Sequence, residues 1–232
     1  MIPSVLHFIW ISLGQDLPDH YRRCIVSGVK NTNCQVVLHT DDTSVAIPGV
    51  EIRIRDFNFT VKDVTYDPLQ QCEQGKRISH LKDIYRLEIL YKEGGIYSDL
   101  DVLWLKNPWD LLHHKCFIAY QAEQYKTLCN AIIGSEPNHP AIKLYRDWCI
   151  ESFPPTRYWS IANPYTIWKD RDDVSFLKQA VFFPYPYYKD ASYTDTDTGR
   201  KRLAAATACH LNCCRTRSLE SNFFKSIFAY LE

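Results

Sequence analysis

Short apolar runs alternate with amphipathic segments along the first forty residues. The β-branched and aromatic run at 4–12 predicts a buried first strand. Pro18 stands where a helix typically begins, and the mixed apolar and basic segment at 19–30 predicts a surface helix. A second apolar run at 35–40 predicts a second strand. The chain is therefore expected to open with a β-α-β unit.

The longest regular pattern covers residues 76–93, about five helical turns without Pro or Gly. Gly94-Gly95 follows and supplies a left-handed helix cap and a sharp reversal. The apolar run at 96–105 then predicts another strand. Further strands are predicted at 50–55, 115–121, 131–135, 181–185 and 207–211, helical segments at 140–151, 164–169 and 218–231, and a loop region at 56–75. No repeat or low-complexity tract divides the chain, so we expect one α/β domain.

The composition excludes several classes of partner. The 232 residues carry 27 Lys plus Arg against 27 Asp plus Glu, so no net field attracts nucleic acid, anionic lipid or other polyanions. Hydrophobic residues make up 46%, which is typical of a globular chain. Aromatic residues are in excess at 14%, which fits either an aromatic core or a cleft lined with flat rings.

The apolar stretch at 5–13 has about half the length that a bilayer span needs, and no basic segment precedes it. It predicts neither a signal peptide nor a membrane anchor. The nine cysteines form no C-x-x-C pair, and their odd number favours reduced thiols. We therefore expect a cytoplasmic chain without a membrane span, either a whole protein or a domain of a longer enzyme.

Two carboxylates, Asp99 and Asp101, interrupt the apolar run at 96–105. Unpaired, they would be costly in a buried strand. Residues two apart in an extended segment point the same way, so both side chains can converge on one ligand. A hard cation such as Mg²⁺ or Mn²⁺, shared with phosphate oxygens, suits such a pair. The alternative is a strand that runs out into a polar turn.

Three polar residues share one face of the preceding predicted helix: Ser79, Asp83 and Arg86. If Asp83 and Arg86 are an exposed ion pair, they contribute only a few tenths of a kcal/mol to stability. However, the Gly-Gly pair leads directly from this helix into the acidic strand. The polar face of the helix can therefore line the same cleft as the two carboxylates.

Three motifs occur in order along the chain: His7-Phe8-Ile9-Trp10, Asp83-x-x-Arg86 and Gly94-Gly95-Ile96-Tyr97-Ser98-Asp99-Leu100-Asp101. This order resembles the sugar-binding region with a D-x-D motif in family 32-like glycosyltransferases, which recurs in the catalytic domains of large glucosylating bacterial toxins. The resemblance implies a single GT-A domain over 1–232, a Rossmann-like fold whose mixed central sheet is flanked by helices. Its nucleotide-binding half would cover about 1–105 and its acceptor-side half about 106–232.

The resemblance also implies an activity. A retaining glycosyltransferase would move a hexose-type sugar from a nucleoside-diphosphate donor to a hydroxyl of a glycan or other acceptor. A UDP-sugar is the favoured donor and a GDP-sugar the alternative, and Mn²⁺ or Mg²⁺ is the expected cofactor. Because no carboxylate can be nominated as a nucleophile, we expect the acceptor hydroxyl to attack on the face that the phosphate leaves.

Residue roles follow from the same resemblance. Trp10 would stack on the base, with Phe8 and Ile9 beside it as strand core. Asp83 and Arg86 would hold the hydroxyls of the donor sugar, and Arg86 would also reach the diphosphate.

The remaining roles concern the metal and the donor sugar. Asp101 would be a direct metal ligand, Asp99 would contact ribose and metal, and His210 would complete the metal or phosphate site. Asn130 would face the donor sugar. Asp83, Arg86 and Asp101 form the expected catalytic set, and the donor site is completed by Ser79, Tyr97 and Leu100.

Two other interpretations fit part of the pattern. Asp99-Leu100-Asp101-Val102 also resembles the opening of haloacid-dehalogenase-type phosphatases, in which the first Asp is a nucleophile and the second an acid/base. There the motif normally ends the first strand. A non-enzymatic, metal-dependent sugar-binding module would keep the aromatic and acidic groups without a nucleotide pocket.

Overall fold

A seven-stranded sheet organises the protein. The computed structural model describes residues 1–57, 59–61, 64–66, 76–151, 164–185 and 196–211. For 59–61, 64–66 and 76–80 it describes only the backbone. The strands are β1 Val5–Trp10, β2 Gln35–Thr40, β3 Val50–Ile54, β4 Phe59–Val61, β5 Val64–Tyr66, β6 Gly95–Ser98, β7 Val102–Trp104, β8 Cys116–Ala122, β9 Thr127–Ser135, β10 Ser175–Leu177 and β11 Ala208–His210. The α-helices are α1 Asp19–Asn31, α2 Lys76–Glu93, α3 Pro140–Glu151, α4 Pro164–Trp168 and α5 Asp197–Ala205.

The order of the sheet is β10-β8-β9-β6-β1-β2-β3. Strand β9 runs antiparallel to both of its neighbours, and every other pairing in this sheet is parallel. The carboxyl ends of β1, β6, β8 and β10 therefore meet the amino end of β9 along one edge, which we call the carboxyl edge. The predicted α/β fold with a mixed central sheet flanked by helices is confirmed.

Alternation along β1 divides the core between the two faces of the sheet. Leu6 and Phe8 pack into one buried cluster with Ile25 of α1, whereas Ile9 packs into a second cluster with Leu87 of α2. Neighbouring residues of a strand point to opposite faces, which is why adjacent apolar residues enter different cores. No described helix has the length and apolar character needed to cross a bilayer.

The turn from α2 into β6 requires its two glycines. Gly94 has φ +68° and Gly95 φ +91°, conformations that L side chains rarely adopt. A Cβ on Gly95 would also lie 2.8 Å from the Val5 carbonyl oxygen. This close approach seats β6 beside β1 and sends the chain toward Asp99.

The structure differs from the expected local structure in several places. Residues 181–185 form no strand, because Phe182 and Phe183 enter the core individually while Ser175–Leu177 pairs with β8. The region at 56–75 contains the antiparallel pair β4 and β5. Helix α5 was not predicted at all. The helix expected at 218–231 lies outside the described residues.

A chain of hydrogen bonds links β1, β2 and the end of α2. Arg55 Nε donates to His39 Nδ1 at 3.2 Å, so His39 carries its proton on Nε2 and donates to His7 Nδ1 at 3.1 Å. His7 Nε2 then donates to the Gly94 carbonyl at 3.1 Å. Burial is the main cause that lowers the pKa of His7 to about 4 and that of His39 to about 3. Both imidazoles are therefore neutral in the folded state at pH 7.

This neutral pair predicts a loss of stability in mild acid. The unfolded imidazoles take up protons near pH 6.5, and the folded ones only near pH 4 and 3. The stabilisation is therefore complete above pH 6.5 and falls as the pH drops toward 4, by up to about 1.4 kcal/mol per pH unit for each imidazole. Urea unfolding between pH 7 and pH 5, where few carboxylates titrate, measures this slope.

His7→Gln should reduce the slope, because a Gln amide can donate to Gly94 without titrating. His113→Gln removes an exposed imidazole and should leave the slope as in the wild type. An unchanged slope in His7→Gln would contradict the assignment.

Candidate active site

The two motif carboxylates lie in a turn at the carboxyl edge. The backbone amide of Asp99 donates to the Ala131 carbonyl at 2.8 Å, and that of Val102 donates to the Asp99 carbonyl at 3.2 Å. The expected continuous strand over 96–105 is therefore wrong at its centre, where β6 ends at Ser98 and β7 begins at Val102. A turn, rather than an extended segment, brings the two carboxylates together.

A distant histidine joins the pair. Strand β11 runs antiparallel to β7 and places His210 opposite Val102. His210 Nε2 lies 3.2 Å from Asp101 Oδ1. One possible ligand atom from each of Asp99, Asp101 and His210 lies within 4.8 Å of the others. The three residues that the sequence nominated for the metal are thus adjacent.

The chemistry of this acidic and imidazole cluster suits a divalent cation. The side chains of Asp101 and His210 are only 10% and 8% exposed. Burial lowers the pKa of His210, but the Asp101 carboxylate outweighs this effect and raises it. His210 Nδ1 is buried and finds no hydrogen-bond partner among the described residues. Two carboxylates and an imidazole fit Mn²⁺ or Mg²⁺.

Arg86 is the centre of a buried network behind this cluster. Its Nη2 lies 2.8 Å from Asp83 Oδ1 and 3.2 Å from Asp99 Oδ1, and its Nη1 donates to the Asn130 carbonyl at 2.5 Å. Asn130 Nδ2 donates to Asp83 Oδ1 at 3.0 Å. The guanidinium also lies over the Tyr97 ring, 4.4 Å from its centroid, and the Tyr97 hydroxyl donates to Asp99 Oδ1 at 2.7 Å. With Asp83 6% and Arg86 3% exposed, the alternative of an exposed surface pair is wrong.

The network connects α2 to the metal cluster through Asp99. Burial alone would lower the pKa of Arg86, but the Asp99 carboxylate and further neighbours raise it above the ordinary value, so the guanidinium stays charged. The Asp99 side chain is 29% exposed and forms the open side of the network. Arg86 therefore orients Asp99 from behind. Direct contact of Arg86 with a donor stays a prediction.

The other nominated residues whose side chains are described are half-buried or buried. Trp10 ends β1 half-buried, with its ring 6.1 Å from that of Tyr21. Its Nε1 is buried and lacks a hydrogen-bond partner within the described parts of the chain. The side chains of Phe8, Ile9 and Leu100 are buried. Ser79 lies in α2, but its side chain is outside the described residues.

Two neighbours of the site had no signal in the sequence. Burial lowers the pKa of His20, in the first turn of α1, while the charge of the nearby Asp101 opposes this effect. The buried Tyr145 of α3 hydrogen-bonds with the Asn130 side chain. Neither residue belongs to a motif, and only the packing of α1 and α3 brings them to the site.

Comparisons with known proteins find similarity to glycosyltransferases. Residues 18–118 match the family described as glycosyltransferase sugar-binding region containing DXD motif. A glycosyltransferase of Acanthamoeba polyphaga mimivirus is 26% identical over 231 residues, 93% of this chain and 87% of the relative. The human alpha-1,4-N-acetylglucosaminyltransferase is 27% identical over 150 residues, 56% of this chain, which spans only 41% of that relative.

Solved structures show the same fold. The galactosyltransferase LgtC in complex with donor and acceptor sugar analogs has a TM-score of 0.52 at 10% identity, over 96% of this chain and 92% of the other. The PaToxG glycosyltransferase has a TM-score of 0.50 at 18% identity, over 72% and 67%. The sequence matches confirm the resemblance to DXD glycosyltransferases and support glycosyltransferase activity, while the solved structures show the fold alone. Enzymes of this type generally use a divalent metal.

Proposed function

We propose that this chain, similar to the DXD glycosyltransferases, transfers a hexose-type sugar from a nucleoside-diphosphate donor to an acceptor hydroxyl. A UDP-sugar is the favoured donor, and a GDP-sugar is the alternative. The whole of 1–232 would act as one domain, with the nucleotide in the half at about 1–105 and the acceptor in the half at about 106–232. A cytoplasmic location remains a prediction from the sequence.

The observation that carries the proposal is the convergence of Asp99, Asp101 and His210 at the carboxyl edge, with Arg86 behind Asp99. These three side chains would hold Mn²⁺ or Mg²⁺. The bound cation would supply positive charge to stabilise the departing diphosphate. Arg86 keeps Asp99 fixed, so the acidic side of the site need not reorganise when the donor binds.

The donor would lie between Trp10 and the Arg86 network. Trp10 and Tyr21 offer ring faces to the base at the carboxyl end of β1. As the resemblance implies, Asp83 and Asn130 would face the hydroxyls of the donor sugar from α2 and β9, with the two residues only 6% and 5% exposed and their side chains hydrogen-bonded to each other. Phe8, Ile9 and Leu100 would contribute through the backbone, because their side chains are buried. This arrangement follows the rule that open α/β sheets bind ligands at the carboxyl ends of their strands.

We propose retention of configuration, as the resemblance implies, without a carboxylate nucleophile. Asp83 is engaged with Arg86 and Asn130, and Asp99 and Asp101 belong to the metal cluster. None of the three is available as a nucleophile on the sugar. In such a retaining reaction the bond from the anomeric carbon to the diphosphate would break as the acceptor oxygen bonds to that carbon on the same face, and a phosphate oxygen would take the hydroxyl proton.

Metal-dependent release of nucleotide tests the proposal. The purified chain, incubated with UDP-glucose, UDP-galactose, UDP-N-acetylglucosamine or GDP-mannose, is expected to release UDP or GDP with Mn²⁺ or Mg²⁺. EDTA should stop the release and excess Mn²⁺ should restore it. Chromatography of the nucleotides measures both effects.

Other outcomes distinguish the alternatives. Full release in EDTA would contradict the metal assignment. Sugar binding without any nucleotide release would favour the non-enzymatic module. Hydrolysis of p-nitrophenyl phosphate would favour the phosphatase, although the acidic pair follows β6 here rather than the first strand.

A further inference from the structure

Three half-buried aromatic side chains form one surface cluster: Tyr120 of β8, Tyr165 of α4 and Phe176 of β10. Their ring centroids are 5.9 Å apart for both pairs with Phe176 and 6.5 Å apart for Tyr120 and Tyr165. We call this cluster the aromatic platform. Its rings pack on the α2 and α3 side of the sheet, which is also the side of the Arg86 network.

The strand register places the platform beside the proposed donor site. Tyr120 lies opposite Leu128 on β9, and Asn130 follows two residues further along the same strand. Residues two apart share one face of the sheet. In a regular pairing the Cα atoms of Tyr120 and Asn130 would be about 8 Å apart, which is on the order of one pyranose ring with its substituents. The pairing of β8 with β9 shifts register between Ile118 and Ala119, next to this pair.

Helix α4 joins the platform to the same network. Trp168, one turn after Tyr165, packs edge-on against the Tyr145 ring at 5.2 Å and donates from Nε1 to the Ala141 carbonyl at 3.0 Å. Tyr145 in turn hydrogen-bonds with the Asn130 side chain. The buried side of α4 is therefore fixed to the proposed sugar site, and Tyr165 is held on a rigid element.

The surroundings of the platform suit a small amphipathic ligand. Glu123, Gln124 and Lys126 are exposed beside it, and Lys126 Nζ lies 5.6 Å from the Tyr165 centroid. Tyr125, 75% exposed in the same turn, adds a further aromatic side chain, and the charged Glu123 and Lys126 flank it, whereas the core of a protein interface is depleted of charged residues. A pyranose has C–H groups on one face and hydroxyls at its edge. The negative faces of aromatic rings attract the C–H groups, and the tyrosine hydroxyls can bind the edge.

We propose that the aromatic platform binds a pyranose ring of a saccharide acceptor next to the donor sugar. The inference rests on the proposed glycosyltransferase function and narrows its acceptor to a carbohydrate. The hydroxyl to be glycosylated would point along β9 toward Asn130, and the rest of the saccharide would extend past Lys126.

Binding and transfer are measured separately to test the platform. Methyl α- and β-glycosides of glucose, galactose, mannose and N-acetylglucosamine serve as probes, with UDP and Mn²⁺ present for calorimetric binding and with UDP-sugars for transfer. Tyr165→Leu keeps an apolar side chain but loses the ring. We expect it to weaken binding of the best glycoside, and to raise the acceptor KM, by about tenfold, as when one stacking contact is lost.

Two matched variants control the experiment. Tyr165→Phe keeps the ring and should bind within about twofold of the wild type. Trp109→Leu removes an aromatic side chain that is 59% exposed, on the 3₁₀ segment that precedes the opposite end of β8, and should match the wild type.

Equal glycoside affinity in Tyr165→Leu and the wild type, or no glycoside binding to the wild type, would overturn the platform. Transfer to a serine-containing peptide but to none of the glycosides would overturn it as well. Ring-dependent glycoside binding without donor cleavage would instead contradict the proposed function and support the platform.

Discussion

Asp101→Asn is expected to reduce donor cleavage by about 10²–10³-fold, the loss that follows removal of one well-placed charge-stabilising group. Asn has nearly the same shape as Asp but lacks the negative charge that a divalent cation needs. The backbone should remain in place, because the Leu211 amide donates to the backbone carbonyl of Asp101, which the substitution does not change. Nucleotide release at saturating UDP-sugar, with a Mn²⁺ titration, measures the loss of rate and of metal affinity.

Asp173→Asn provides a matched control. Asp173 is a partly buried carboxylate 3.8 Å from a histidine, His139, and thus repeats the Asp101–His210 arrangement away from the site. It precedes the amino end of β10, opposite the carboxyl edge. If Asp173→Asn loses as much activity as Asp101→Asn, or if Asp101→Asn unfolds, the catalytic role of Asp101 is not supported.

Local patterns predicted the elements that carry the fold. The apolar periodicity of 76–93, followed by Gly94-Gly95, predicted both ends of α2 correctly. A long uninterrupted pattern and a glycine cap are local signals that can be recognised within one segment of sequence. The strand at 35–40 also matched β2. By contrast, α5 begins with a polar cap, in which the Thr196 side chain accepts a hydrogen bond from the Gly199 amide. Apolar periodicity does not reveal this signal, so the helix was not predicted.

The site depends on contacts that no local pattern encodes. His210 reaches Asp101 only because β11 pairs with β7, more than a hundred residues earlier in the chain. Sequence spacing alone could not distinguish a buried Asp83–Arg86 pair from an exposed one. The burial of this pair depends on contacts of the guanidinium with Tyr97 and Asn130, which are distant in sequence. The resemblance to a known family nominated these residues. Tertiary packing determines that Arg86 acts through Asp99.

Arg86→Lys tests this indirect role. Lys keeps the positive charge, but its compact ammonium cannot reach Asp83, Asp99 and the Asn130 carbonyl together. We expect donor cleavage and Mn²⁺ affinity to fall by about 10–100-fold, as when a residue that orients a metal ligand is changed. One unpaired buried acceptor should also cost about 1–3 kcal/mol of stability. Rates are therefore measured well below the melting temperature of the variant.

Arg146→Lys separates the two effects, because Arg146 has partners of the same type away from the carboxyl edge, in a more exposed setting. Its guanidinium lies 4.7 Å from the Tyr91 centroid and contacts Glu88 at 3.0 Å and Asp147 at 2.9 Å. Arg146→Lys should lose some stability but retain Mn²⁺ affinity and rate. Of the two arginines, only Arg86 contacts a carboxylate of the proposed metal cluster, so only its replacement should change metal affinity in the folded protein. Near-wild-type Mn²⁺ affinity and cleavage in Arg86→Lys would therefore show that Arg86 stabilises the fold without positioning the metal ligand.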